Sequence, residues 1–194
     1  MSIREKKENL KAIYDRYDSE SAEFREKAIC KAGCAFCCTD VGNVDVTTLE
    51  GLVIRDHLAA LPKAQRKQLR KNIEKNMARK EKEKISRCPF LRKNDTCAIY
   101  DIRPFSCRQL YSLKECRGSG PTVHREAAAR AGETVKALQR LDETGYSGHI
   151  SFILHLLEQE TFRKLYLAGG FDPSRIMEFG KSHGIVINKF VSGS

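Results

Sequence analysis

Four of the eight cysteines in this chain of 194 residues fall close together, as Cys30-x3-Cys34-x2-Cys37-Cys38. The other four, Cys88, Cys97, Cys107 and Cys116, occupy a second segment that begins fifty residues after Cys38. Cysteine is ordinarily sparse and scattered singly through apolar cores, so packing does not explain two dense clusters. Thiolate is the ligand that soft and borderline metals prefer, and the pattern points to metal chelation by all eight thiols.

The spacings suggest how the ligands are presented. Cys34-Ala-Phe-Cys37 is a Cys-x2-Cys loop, which lets two thiolates grip one metal from a tight turn, and Gly33 supplies backbone freedom just before it. Cys30 and Cys34 stand four apart, so one further helical turn would set both on one face. Adjacent side chains diverge, so Cys37 and Cys38 are expected to serve different metals or different edges of one cluster; the alternative is that Cys38 is a buried, unliganded thiol. Asn94-Asp95 predicts a turn that brings Cys88 and Cys97 together like the arms of a hairpin. Arg103-Pro104 fixes an extended residue before a new turn, and the Gly118-Ser119-Gly120-Pro121 loop closes the segment after Cys116. One of Cys37 and Cys38 should turn toward Cys88 and Cys97, so that ligands from both segments meet. Eight thiols could supply two four-thiolate centres, or one centre with thiols to spare.

Composition narrows the setting. The 35 basic and 25 acidic side chains give a net charge of +10, which permits attraction to an acidic partner or to nucleic acid. No run of apolar residues is long enough to span a membrane. The charged N-terminus MSIREKKENL has no apolar core of a signal peptide, so the expected location is cytoplasmic. In that reducing compartment clustered thiols more often hold metal than form disulfides.

The elements that must position these thiols read as helices. Ile3, Leu10, Tyr17 and Phe24 recur every seven residues and predict one amphipathic helix over 3–29 that delivers the chain to Cys30. Thr47-x-x-Glu50 is a capping box, so a helix begins at Thr47 and stops near Leu61-Pro62. His57 lies on it and reads as a surface or packing residue. Residues 63–87 hold eleven Lys or Arg against three Glu, with Leu69, Ile73 and Met77 as a thin apolar stripe: a solvated helix, or a docking face for nucleic acid or an acidic protein. Val135, Leu138 and Leu141 mark a helix from about Thr122. Another runs from Ile150 through Leu165 to Gly169-Gly170. Asp172-Pro173 caps a last short helix closed by Gly180, and Ile185–Ile187 forms a brief strand or packed tail. His124, His149, His155 and His183 are scattered without ligand-like spacing. No Ser-His-Asp candidate or glycine-rich phosphate loop is visible, so no catalytic residue is named.

Residues 30–110 resemble the YkgJ-like cysteine-cluster family of zinc- or iron-chelating domains, named for Cys-x2-Cys-x2-Cys-Cys. The resemblance rests on Gly33-Cys34-Ala-Phe-Cys37-Cys38, on Val46-Thr47-x-x-Glu50, and on Cys88-Pro-Phe-Leu with Cys97-x-Ile-Tyr100-x-x-Arg103-Pro104-x-x-Cys107-Arg108. The first spacing here is three residues rather than the family's two. The resemblance implies metal chelation, and it places Arg103 and Arg108 beside Cys107, where their charge would stabilise an anionic thiolate centre or grip an acidic substrate. Flagellin lysine methylases carry a similar cluster, but the glycine-rich Rossmann loop is missing here and that activity is not carried over.

The expected fold is therefore mainly α: a small helical domain, 1–194, around an irregular cysteine-rich metal-binding core at 30–116, with flanking helices at 3–29 and 122–180. The expected cofactor is an iron–sulfur cluster, with zinc as the competitor; electron transfer or a redox modification reaction would follow from the former. The partner would be a protein or redox partner, not a membrane. The alternative is a zinc-stabilised module that binds nucleic acid or an acidic protein through the basic 63–87 helix.

Overall fold

A computed structural model describes residues 1–39, 43–116 and 120–187; Gly118 and Ser119 of the expected closing loop lie outside them. The chain is mainly helical, as its periodicities predict, with ten α-helices and one two-stranded sheet among the described residues. No helix among these residues is long and apolar enough to cross a membrane.

Helix α1, Ile3–Glu20, starts at a capping box in which the Ser2 hydroxyl accepts from the Glu5 N–H and the Glu5 carboxylate accepts from the Ser2 N–H. It buries Leu10, Tyr14 and Tyr17 and ends well short of the expected 29. The break falls at Ser21, which is wholly buried and whose hydroxyl donates back to the Tyr17 carbonyl at 2.7 Å. Such a local bond weakens and bends a helix. A single turn, α2 at Ala22–Arg25, follows, and the chain reaches Cys30 in an irregular conformation rather than on a helix.

After α3, Phe36–Thr39, a short strand β1, Asp45–Thr47, leads into α4, Thr48–Ala60. The Thr47/Glu50 capping box forms as its spacing predicts, and α4 stops before Leu61-Pro62. Helix α5, Lys63–Lys80, is shorter than the expected 63–87 and gives way to turns before Cys88. Past a 3-10 turn at Tyr100–Ile102 come α6, Phe105–Arg108, and α7, Arg125–Leu141, the latter capped by the His124 ring rather than starting at Thr122.

Strand β2, Ser147–His149, pairs antiparallel with β1, setting Asp45 opposite His149 and Thr47 opposite Ser147. The single helix expected from Ile150 to Leu165 is two: α8, Ile150–Glu158, and α9, Glu160–Leu167, separated by an extended Gln159 at ψ 118°. Helix α10, Ile176–His183, follows a 3-10 turn at Pro173–Arg175 and ends at Gly184, whose φ of +62° suits glycine. Gly180, the expected terminator, lies inside the helix. A Cβ there would sit 2.4 Å from Ile187 Cγ1, so its smallness admits the buried tail of Ile185 and Ile187, which forms no strand.

The larger core gathers Val46, Leu52, Ile54, Phe90, Ile99, Ile153 and Leu157, with Cys88, Cys97 and Cys107 packed against its edge. Within it α4 packs closely on α8, where a Cβ on Gly51 would lie 2.5 Å from Ile153 Cγ2. A second core, of Leu10, Tyr14, Tyr17, Leu49, Phe105 and Leu138, joins α1, α4, α6 and α7. The cysteine segments lie where these cores are tied together.

Candidate metal centre

All eight cysteines are free thiols. The link between the two segments is a backbone one: the Cys88 N–H donates to the Cys38 carbonyl at 2.7 Å. Beside it Cys37, Cys38 and Cys88 line one small cavity. Cys97 and Cys107 face the same group electrostatically. The expected turn at Asn94-Asp95 is present, with Asp95 at φ +57° and the Arg92 N–H bonded to the Thr96 carbonyl. The residue paired with Cys97 across it is Leu91 rather than Cys88.

Three thiols stand apart. Burial raises the Cys30 thiol, and Cys34, Cys116 and Cys37 act on it electrostatically. The Cys30 sulfur accepts the Ser112 N–H at 3.3 Å, while the Ser112 carbonyl accepts the Ile29 N–H. Wholly buried Ser112 also accepts from the Thr122 N–H and donates to the Lys114 carbonyl, organising the loop that carries Cys116. Cys34 follows a turn rather than the helical turn that would have aligned it with Cys30; Gly33 there has φ +86°, and the Cys34 N–H reaches the Lys31 carbonyl. The eight thiols therefore divide into an inner group of five and an outer group of three, both Cys30 and Cys34 of the latter being exposed.

The electrostatics of the inner group show what it would accept. The adjacent Cys38, then burial, pushes the Cys37 thiol far above its ordinary value. Cys37 holds Cys38 down, yet the neighbouring Cys88 and burial raise it to about 12. Burial, with the neighbouring thiols, raises Cys107, and burial raises Cys97. Arg103 opposes this, its guanidinium favouring thiolate at Cys37, Cys97 and Cys107, with Arg92 adding to it at Cys97. Arg103 lies over the Tyr100 ring, 4.1 Å from the centroid, and its buried Nε has no hydrogen-bond partner among the described residues. Arg108 spends its donors elsewhere, on Asp18 and the Arg103 and Asp101 carbonyls, and stacks over Tyr14.

Crowded thiols and one under-satisfied guanidinium suit a cationic centre with a net anionic ligand shell, because a metal ion reverses the cost of ionising them. The donor set fits zinc or iron chemistry. As they stand, no three His, Cys, Asp or Glu side chains among the described residues are arranged to hold a metal ion.

Several positioning residues escape sequence reasoning. Glu50 is read there as a helix cap and as part of the Val46-Thr47-x-x-Glu50 motif, without a contact to the cysteine segments. Its buried carboxylate accepts the Thr47 N–H at 2.8 Å on Oε2, and the Tyr14 hydroxyl at 2.5 Å and the Phe105 N–H at 2.8 Å on Oε1. It thereby seats the N-terminus of α6, two residues before Cys107. Asn72 and Asn76, one turn apart on α5, bond the carbonyls of Pro89 and Arg87 and hold the backbone on both sides of Cys88. His149, dismissed by spacing, is buried and lines a small cavity with Cys37, Cys38 and Cys88; burial, with Lys80 nearby, lowers its ring to about 4, so it is neutral. Only the β1–β2 pairing brings it there, and no local signal marks it. His57 carries no role at this centre.

A family model described as "Putative zinc- or iron-chelating domain" matches residues 29–132, just over half of the chain. No curated protein and no solved structure matches.

Proposed function

Since the chain belongs to the CxxCxxCC family of zinc- or iron-chelating domains, we propose that it holds an iron–sulfur cluster through thiolates drawn from Cys37, Cys38, Cys88, Cys97 and Cys107. The observation that carries this reading is the join of the two segments by the Cys88 N–H to Cys38 carbonyl bond, with Cys37, Cys38 and Cys88 lining one small cavity beside it. Five neighbouring thiols give one more than the four that either a tetrahedral zinc or a cluster takes, so the adjacency of Cys37 and Cys38 is what favours the cluster. A cluster spreads its thiolates over more than one iron and so accepts ligands that diverge. Bound there, it would supply electron transfer or assist a redox modification. Arg103 would donate to its sulfur ligands, Glu50 would hold α6 in place, and the apolar edge of the larger core would limit solvent. A reducing, cytoplasmic setting keeps the thiols available.

The test is purification without oxygen, followed by absorption spectroscopy and assay of iron, sulfide and zinc. Wild-type protein should be brown, with iron and sulfide in similar amounts. Cys107→Ser should lose colour, bound metal and thermal stability together, whereas Cys34→Ser should keep most of all three. Colourless protein loaded with zinc overturns the iron–sulfur reading. Full metal content and unchanged melting in Cys107→Ser overturns the ligand set.

A further inference from the structure

Helix α5 carries eight Lys or Arg against one Glu. Lys63, Lys67, Lys71, Lys75 and Arg79 repeat at every fourth residue, which places them along one inclined ridge about 24 Å long. All five are exposed, and none has an ion-pair or side-chain hydrogen-bond partner among the described residues. The one acid on this helix, Glu74, stands three residues after Lys71 and lines the groove with His155, but it forms an ion pair with none of the five among the described residues. Solvated helices commonly neutralise themselves with acids one turn away, and here five cations share that single carboxylate.

The inner side of the same helix is committed to the thiol centre. Ile73 packs in the larger core, and Asn76 is buried, accepting from Ser151 and donating to Ser86 Oγ and the Arg87 carbonyl. Asn72 donates to the Pro89 carbonyl. Beyond Arg79 the ridge opens onto a depression of about 210 Å³ lined by Lys75, Arg79, Arg87 and Cys88. The unpaired positive charge and a thiol of the inner group thus share one surface on one rigid helix.

We propose that this ridge is the docking surface for the acidic face of a partner protein, seated so that the contact reaches the depression at Cys88. The purpose of that contact rests on the thiolate-centre reading; the docking itself rests on charge complementarity. Nucleic acid would meet the same charges. However, residues 63–87 contain no aromatic side chain on which bases could stack, and the ridge leads to a thiol rather than to a groove.

Metal-loaded protein is titrated against a labelled poly-L-glutamate peptide and, separately, a single-stranded RNA of equal length, each at low and physiological salt. The peptide should bind, weaken steeply with added salt, and slow hydrogen exchange across residues 63–89. Lys67→Glu/Lys71→Glu/Lys75→Glu should weaken it at least tenfold, and the corresponding triple Gln variant by less, with metal content and absorption spectrum unchanged in both. Those unchanged properties keep failure here distinct from failure of the metal-centre reading. Absence of binding, binding indifferent to both triple variants, or RNA bound more tightly than the peptide would each overturn the proposal.

Discussion

Glu50→Gln isolates the contribution of one buried carboxylate to the site. Glu50 is only 3% exposed and accepts three hydrogen bonds, from the Thr47 N–H, the Tyr14 hydroxyl and the Phe105 N–H. A glutamine can keep its carbonyl oxygen toward Tyr14 and Phe105, but its amide then confronts the Thr47 N–H, donor against donor. Two charge-assisted bonds become neutral ones, at about 1 kcal/mol each, and a buried donor loses its acceptor at about 1–3 kcal/mol. Relief of the buried charge offsets part of this, leaving a net loss of about 3 kcal/mol. For a chain of this length that lowers the melting temperature by about 6–12 °C. Glu50→Ala strands all three donors and should cost more. Because Phe105 begins the helix that carries Cys107, bound metal should fall along with stability. Thermal unfolding followed by circular dichroism, with metal analysis of the same samples, reads both. A Glu50→Gln protein that melts within a degree of wild type and retains its full metal content would refute the reasoning.

Arg103→Ala should weaken metal binding about tenfold, as loss of a group beside the ligands typically does, with partial recovery in Arg103→Lys; competition with a chromophoric chelator measures it, and equal affinities in all three proteins would remove Arg103 from the site. Burial lifts the Asp142 carboxyl to about 6, against the bonds it accepts from the Leu49 N–H and the Tyr166 hydroxyl. The native state then keeps a proton that the unfolded chain releases, so this group's contribution falls by about 3 kcal/mol as pH rises from about 4 to 6. Asp142→Asn should therefore gain on wild type across that window in urea titrations, and a constant difference would contradict the assignment. Gly51→Ala should cost about 1–3 kcal/mol by forcing α4 from α8 at Ile153; a variant as stable as wild type would show that the contact yields freely.

The local signals were legible and the long-range ones were not. Thr47-x-x-Glu50 and Asn94-Asp95 act within four residues, and both features form where their spacing predicts. The break at Ser21 was hidden inside a good heptad pattern, because a buried serine that bonds its own helix leaves the apolar period intact. Gln159 likewise interrupts a continuous apolar run without glycine or proline to mark it. The two strands are three residues each and lie a hundred residues apart, too short for alternation to register. With them went the position of His149 beside the thiols. The cysteines announced a centre by number and spacing, but their division into five and three depends on Ser112 and on the Cys38–Cys88 backbone bond, which spacing alone does not encode.

That backbone bond also bears on how metal would enter and leave. Bringing two points fifty residues apart into contact costs an unfolded chain about 3–4 kcal/mol in lost freedom. Here the amide of Cys88 and the carbonyl of Cys38, braced by Asn72 and Asn76, hold that closure with peptide groups rather than with sulfur. Each of these hydrogen bonds contributes only about 1 kcal/mol, so the closure is narrowly balanced. A metal drawing ligands from both segments would tighten it on entering and loosen it on leaving, which ties occupancy to the stability of the whole chain.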